Sequence, residues 1–248
     1  MTAPVPRQHA TELAPAPAYA EMRASEAGIA LYVRLTGCRP THAPTESDTG
    51  FDRHILASIL AMSAAEGGRL TDRCGLSEPA LADLGARFFP DADLITCVAM
   101  PAPQPAPALP DPDEVAMVRD LLLSHRSSDL GPWLAVLLAR RAMEPNHLWE
   151  DLGLRERSEL TRLLTRHFAP LAVRNTRNMR WKRFFYRMLC ESDGFVMCAT
   201  PVCTQCTDFS VCFAEKTSES RMADRRRALA LAAPASAEAA LQPAAQPR

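Results

Sequence analysis

The sequence of 248 residues predicts an all-α fold, an irregular helical domain to which a cysteine-rich loop is appended. Apolar residues recur at the three- and four-residue spacing of a buried helix face, and no segment alternates polar and apolar residues as a strand does. Only 10 residues are glycine, which argues against a large β-sandwich or barrel. The loop is predicted because four of the eight cysteines fall within one 15-residue window.

Helix starts and apolar stripes divide the middle of the chain into elements. Asp111 is a suitable N-cap, Pro112 suits the first helical position, and Glu114 lies three residues after the cap. Further along, apolar residues at i, i+3, i+4, i+7 and i+8 indicate two amphipathic helices. The segments predicted to be helical are 52–66, 77–88, 130–143, 147–152, 158–168 and 178–191, together with a helix that begins at Asp111.

Composition predicts four regions along the chain. Residues 1–24 are dominated by Ala and Pro and are expected to be disordered. Residues 25–190 form the helical domain, interrupted by a proline-rich linker at 101–110. Residues 191–216 form the cysteine-rich loop, and residues 217–248 are expected to be a disordered tail.

The ends and charge of the chain exclude several classes of protein. The first residues contain no basic stretch followed by an apolar one, and no apolar run reaches 18 residues, so a secretory signal and a membrane span are not expected. A net charge of −1 provides no overall attraction to nucleic acid or membrane. We therefore expect a cytoplasmic protein, in which clustered thiols stay reduced and serve metal binding or redox chemistry.

The cysteine cluster has the spacing C-x4-C-x2-C-x5-C and consists of Cys198, Cys203, Cys206 and Cys212. Structural zinc sites usually contain two C-x2-C pairs, whereas only one such pair is present here and no His lies in the window. Iron–sulfur clusters tolerate uneven spacing, and an x4 then x2 opening also begins the plant-type ferredoxin motif. Spacing thus favours an iron–sulfur cluster, with zinc as the alternative.

The other four cysteines are predicted to pack in the core or in loops: Cys38, Cys74, Cys97 and Cys190. The first three have no neighbouring ligand types. Cys190 precedes the cluster by eight positions, so a fifth ligand or a thiol that takes part transiently in transfer is the alternative there. No phosphate-binding loop, nucleophile elbow or HExxH motif is present, and nothing in the sequence names a catalytic acid or base.

A basic stretch precedes the cysteine cluster. No acidic residue lies between Glu159 and Glu191, whereas eight cations do: Arg162, Arg166, Arg174, Arg177, Arg180, Lys182, Arg183 and Arg187. On a helix the aromatic residues of 178–191 form a stripe opposite much of this charge, so we expect the aromatics in the core and the cations in solvent. Such a patch attracts an oxyanion or docks an acidic partner, unless it is only a solvated helix face.

Together these features resemble the NifQ family of nitrogen-fixation proteins. The resemblance is carried by Asn-Met-Arg-Trp-Lys-Arg-Phe-Phe-Tyr-Arg-Met-Leu-Cys-Glu at 178–191, followed by the cysteine motif and Phe213. The segments 121–126, 147–154 and 160–168 fit the same family. The resemblance spans about residues 50–215 and is strongest from residue 144 onward.

This resemblance implies a non-catalytic metallochaperone in the biosynthesis of the iron–molybdenum cofactor of nitrogenase. It implies that Cys198, Cys203, Cys206 and Cys212 hold an iron–sulfur cluster that accommodates molybdenum, with molybdate as the source. The implied partners are the nitrogenase cofactor-assembly scaffold and the nitrogenase reductase. Two other functions fit the residues less well: a zinc-stabilised nucleic-acid-binding regulator and a simple iron–sulfur electron-transfer protein.

Overall fold

The computed structural model describes residues 26–92, 94, 109–193 and 228. Regular structure within these ranges is helical, with no strand, which confirms the all-α prediction for this part of the chain. The elements are α1 (Glu26–Thr36), a 3₁₀ turn (Pro40–His42), α2 (Asp48–Ala65), α3 (Leu70–Cys74), α4 (Glu78–Phe88), α5 (Pro112–Ser124), α6 (Gly131–Ala142), α7 (Leu148–Asp151), α8 (Arg157–His167), α9 (Ala169–Ala172) and α10 (Trp181–Asp193).

Several predictions about regions fall outside the described residues. They are the disordered N-terminus at 1–24, the tail at 217–248 except for residue 228, most of the linker at 101–110 and the cysteine-rich loop from residue 194 onward. At the other end of the helical domain, α10 continues to Asp193, three residues beyond the predicted boundary at 190.

Side-chain caps fix where several helices begin. The carboxylate of Asp111 accepts a hydrogen bond from the backbone N–H of Asp113 at 2.9 Å, with Pro112 in the first helical position, as the sequence predicts. The hydroxyl of Ser77 caps α4 in the same way. Ser47 caps α2 by accepting from the N–H of Gly50 at 3.0 Å, so this helix begins four residues before the predicted position 52.

Helix α2 is the centre of the fold. Its residues from Ile55 to Ser63 are all buried, on every side of the helix. A helix that is apolar all round has to be covered all round. The helix α1 packs along α2 and contributes the buried side chains of Leu31, Tyr32 and Leu35. This helix is not among the predicted helical segments.

Two charged clusters join α8 to α2. Asp52 of α2 accepts hydrogen bonds from Arg166 at 3.0 and 3.1 Å, and its Oδ1 lies 3.0 Å from Nε2 of His167. Two residues further along α2, the Nε2 atom of His54 lies 3.4 Å from a carboxylate oxygen of Glu159. These groups are largely buried, so each carboxylate depends on its partners to remain ionised.

A turn at Gly153 brings the backbone after α7 against α2. Gly153 has a φ of 69°, and a Cβ atom there would lie 2.3 Å from Cγ of Met62 and 3.0 Å from the carbonyl oxygen of Ser58. Only glycine therefore fits both the backbone conformation and the space. None of the described helices is long and apolar enough to cross a membrane.

Replacing Gly153 by Ala should destabilise the fold through both effects. We expect a loss of about 3 kcal/mol in the free energy of unfolding, because steric overlap adds to the cost of a positive φ. The matched control is Gly37→Ala, at a position with φ 76° and no atom within 4 Å of a new Cβ, which should cost about 1 kcal/mol. Urea denaturation measures both values, and equal losses would contradict the packing argument.

Acid should weaken the α2–α8 contact through Glu159. Burial alone would raise the pKa of this carboxyl, but hydrogen bonds from His54 and Arg155 lower it to about 2. Because this folded pKa lies below the ordinary value of 4.5, ionised Glu159 stabilises the fold near neutral pH. That stabilisation is worth about 3 kcal/mol and is lost as pH falls from about 5 to about 2.

We expect Glu159→Gln to lower the free energy of unfolding at neutral pH and to flatten its decline under acid, as measured by urea denaturation across pH. The control is Glu78→Gln, since Glu78 and its partner Arg69 are 63% and 65% exposed. Exposed pairs contribute little, so the control should keep the pH dependence of the original protein. If the free energy of unfolding of Glu159→Gln declined under acid as steeply as that of the original protein, Glu159 would not be the group responsible.

Candidate functional site

The four clustered cysteines, Cys198, Cys203, Cys206 and Cys212, lie outside the described residues. Cys97 also lies outside them, and Cys190 is described only as part of the backbone of α10. The described helix closest to these cysteines in the sequence is α10, and its last residue lies five positions before Cys198.

Two cysteines away from the cluster are described, and both are free thiols. Cys74 at the end of α3 is fully buried, and burial raises the pKa of its thiol to about 11. Cys38 is half-buried and packs against the edge of the core, beside the hydroxyl of Thr36. These placements confirm the core and loop predictions for the two residues.

The aromatic stripe of α10 faces the core, as the sequence predicts. Trp181, Phe184, Phe185 and Met188 are each at most 6% exposed. The indole of Trp181 meets the ring of Phe184 edge-on, with ring centroids 5.6 Å apart. Burial of this face in the core holds α10 in one orientation, because rotation of the helix about its axis would expose the apolar side chains to water.

Lys182 contradicts the prediction that the cations of this stretch face solvent. Its side chain is only 9% exposed, and its Nζ atom lies 2.6 Å from a carboxylate oxygen of Asp151, which is fully buried. The ammonium group also donates to the backbone carbonyl of Glu144. Burial raises the pKa of the Asp151 carboxyl and lowers that of the Lys182 ammonium, while their attraction opposes both shifts.

A wider charge network surrounds this pair. Asn146 donates to the second carboxylate oxygen of Asp151 at 2.8 Å. The fully buried Arg141 donates from Nε to the carbonyl oxygen of Asp151 at 2.8 Å and forms a two-point ion pair with Glu66 at 2.5 and 2.6 Å. The start of α10 is thus tied to α6, to α7 and to Glu66, the residue that follows α2. This network is not predictable from the sequence, since isolated charges in separate segments give no local signal.

Other cations of the basic stretch are also paired with carboxylates, so less positive charge is left unbalanced than the sequence implies. Arg162 and Arg166 of α8 pair with Asp48 and Asp52 at the start of α2. On α10, Arg187 donates to Glu191 at 3.0 Å, and Arg174 lies 3.8 Å from the same carboxylate. The acidic partners come mostly from remote parts of the chain, which corrects the expectation of one uninterrupted solvent-facing patch.

Within the ranges that the structure describes, no group of three or more His, Cys, Asp or Glu side chains is arranged to hold a metal ion. The described element that lies nearest in sequence to the four clustered cysteines is helix α10. This helix is fixed against the core by its apolar face and by its buried lysine.

The Lys182–Asp151 pair should be essential for holding α10 in place. We expect Lys182→Met to lower the free energy of unfolding by about 3–5 kcal/mol, because it leaves an uncompensated buried carboxylate. The double variant Lys182→Met/Asp151→Leu should recover most of this loss. Arg187→Met is the control, since Arg187 and Glu191 are 37% and 49% exposed and contribute little. A loss in Lys182→Met no larger than in the control, by urea denaturation, would exclude this role.

Comparison with known proteins identifies relatives. A model of the NifQ family matches residues 55–214, a range that contains all four clustered cysteines. The chain is 40% identical over 183 residues to a protein NifQ homolog of Sinorhizobium fredii, which covers 71% of this chain and 78% of the relative. It is 44% identical over 164 residues to protein NifQ of Rhodobacter capsulatus, covering 64% of this chain and 86% of the relative.

A third relative is protein NifQ of Azotobacter vinelandii, 46% identical over 103 residues, or 41% of this chain and 53% of the relative. No solved structure matches the chain. The family match spans well over half of the sequence and includes the helices around α10 as well as the cysteines. On these grounds the chain belongs to the NifQ family of nitrogen-fixation proteins.

Proposed function

We propose that this chain is a carrier that receives molybdenum on an iron–sulfur cluster and delivers it for biosynthesis of the nitrogenase iron–molybdenum cofactor. The cluster and its molybdenum are cargo, and the protein acts by exchange of ligands and is not an enzyme. The observation that carries the proposal is the C-x4-C-x2-C-x5-C motif, which lies inside the region matched by the family.

The donor chemistry of the motif supports this function. Thiolates are soft ligands that suit iron–sulfur clusters, and four of them within 15 residues are enough for one cluster. Cys38, half-buried after α1, and Cys74, buried at the end of α3, take no part in it. Reduced thiols are needed, which agrees with a cytoplasmic location.

The attachment of the cysteine segment also suits a carrier. Helix α10 is fixed to the core by its aromatic face and by the Lys182–Asp151 pair, and the chain then continues into the cysteines. A fixed helix can present a metal-binding segment to another protein at a constant position. The proposed recipients are the nitrogenase cofactor-assembly scaffold and the nitrogenase reductase.

The loop before α10 supports an oxyanion as the source of metal. Arg174 and Arg177 are exposed there, and the ion pair of Arg174 with Glu191 is long and half-exposed. Exposed cations raise the local concentration of an anion such as molybdate. A pair of this kind exchanges readily for another anion because it contributes little stability.

The carrier proposal is tested by the metal content of the protein purified without oxygen. We expect the full chain to be brown, to contain iron and acid-labile sulfide, and to take up molybdenum from molybdate. Cys203→Ala or Cys206→Ala should abolish iron retention, because each removes a thiolate ligand. Metal and sulfide analysis together with electron paramagnetic resonance measures these outcomes.

Cys38→Ala and Cys74→Ala are the matched controls and should keep their iron, since both thiols lie outside the cluster. A colourless protein with one zinc per chain would refute the carrier proposal. Reversible one-electron cycling without any uptake of molybdenum would instead identify an electron-transfer protein. Equal loss of iron in the control variants would refute the ligand assignment alone.

A further inference from the structure

A serine, a histidine and an aspartate form a chain of hydrogen bonds where the loop before α6 meets α8 and α2. The Oγ atom of Ser128 lies 2.7 Å from Nδ1 of His167, whose Nε2 atom lies 3.0 Å from Oδ1 of Asp52. In the sequence, His167 is 39 residues from Ser128 and 115 from Asp52, so only the fold brings the three together. A nucleophile, a base and a group that orients the base are recognised by such geometry and not by their order in the sequence.

The carboxylate of Asp52 determines which nitrogen of His167 carries the proton. Burial would raise the pKa of this carboxyl, but hydrogen bonds from His167 and Arg166 outweigh burial and lower the pKa below its ordinary value of 3.8. An ionised carboxylate can only accept, so Nε2 of His167 is the donor. In the neutral ring Nδ1 then carries the lone pair, and the hydroxyl of Ser128 donates to it.

The imidazole of His167 is held in one orientation. Its side chain is only 2% exposed, and Asp52, which accepts from it, is fixed in turn by two hydrogen bonds from Arg166 at 3.0 and 3.1 Å. A base that is within 2.7 Å of a hydroxyl and cannot turn away is already placed to accept its proton. The arrangement therefore favours attack by the serine oxygen.

Ser128 lies at the surface end of this chain of hydrogen bonds. The residue is half-buried, and its neighbours Ser127 and Asp129 are exposed. A small reagent can therefore approach Ser128 from solvent, whereas the buried His167 is reached only through it. A half-buried position favours a small group over a bulky one.

Backbone N–H groups beside Ser128 are available to stabilise negative charge. In the part of the chain that the structure describes, the N–H groups of Asp129 and Leu130 donate no hydrogen bond. Helix α6 begins at Gly131 without a side-chain cap, so its positive N-terminal end follows directly. In hydrolases with a nucleophilic serine, the N–H of the residue after the serine stabilises the oxyanion, and Asp129 occupies that position here.

A second serine and histidine, at the end of α5, are also in contact but lack this arrangement. The Oγ atom of Ser124 lies 2.9 Å from Nδ1 of His125, yet both groups donate to the carbonyl oxygen of Leu121. Nδ1 of His125 therefore has no lone pair to offer to Ser124. Ser124 is exposed, so it serves as a comparison within the same protein.

We propose that Ser128 is an activated nucleophile and a site of covalent modification by small activated acyl esters and thioesters. Its Oγ atom bonds to the carbonyl carbon, and the bond from that carbon to the leaving oxygen or sulfur breaks. The hydroxyl proton passes to Nδ1 of His167 and then to the leaving group, so no further reactant is required. His167 is the base, and Asp52 is the residue that positions it. One acyl group is transferred to the protein, a modification without turnover that is independent of the carrier function.

Acetylation of the full chain by p-nitrophenyl acetate at neutral pH tests the proposal. We expect a fast phase of nitrophenolate release that amounts to one per chain, with the acetyl group found on Ser128 by peptide mass spectrometry. Ser128 should react at least about a hundredfold faster than Ser124, because a positioned base supplies a factor of this size. Ser128→Ala should abolish the fast phase. Ser124→Ala is the matched control and should keep it, and thermal unfolding verifies that both variants are folded.

Nuclear magnetic resonance of the ¹⁵N-histidine-labelled protein tests the positioning by Asp52 without any substitution. The ring nitrogens of His167 are assigned through their connection to the backbone, and we expect a neutral ring with its proton on Nε2. A proton on Nδ1 would overturn the role of His167 as the base. Acetylation of Ser128 no faster than that of Ser124, or a fast phase that persists in Ser128→Ala, would overturn the proposal as a whole.

Discussion

The buried ion pair between Lys182 and Asp151 is the interaction on which the placement of α10 depends. Neither charge is stable away from water by itself, so each requires the other at 2.6 Å. Asp151 also draws in Asn146 and Arg141, and through Arg141 it reaches Glu66 beyond the end of α2. The carboxylate of Asp151 thereby links α2, the central helix, to α10, the helix that precedes the clustered cysteines.

At the other end of α2, charged residues that are distant in sequence also form ion pairs. Asp52 and Arg166 are 114 residues apart in sequence, yet they form a two-point contact that closes α8 onto α2. The cost of closing so long a loop grows only slowly with its length, so a buried contact of this kind can offset it. Charges that look unbalanced within one segment are balanced by the fold as a whole.

Local rules predicted much of this structure from sequence. The cap at Asp111, the stop of α4 and the buried stripe of α10 all follow from chemistry within a few residues. Helix α1 was not predicted because its helical structure depends on packing against α2, and tertiary context overrides weak local signals. The burial of Lys182 was not predicted because a lysine in a basic stretch is expected to face solvent. Its partner Asp151 lies 31 residues away in the sequence and is brought beside it only by the fold.

The candidate site divides in the same way. The cysteine spacing and the family resemblance were readable from the sequence, and the family is confirmed by the match over 55–214. The network around Asp151 was not, because Lys182, Asn146 and Arg141 come from separate segments that only the fold brings together.

The burial of Cys74 has a consequence for sulfur chemistry. With a pKa of about 11 and no exposed surface, this sulfur is a neutral thiol under physiological conditions and is inaccessible to disulfides, persulfides and alkylating reagents. Thiol exchange requires a thiolate that can be reached, so Cys74 cannot take part in scrambling with the cysteines at 198–212. The fold in this way limits reactive sulfur to other parts of the chain.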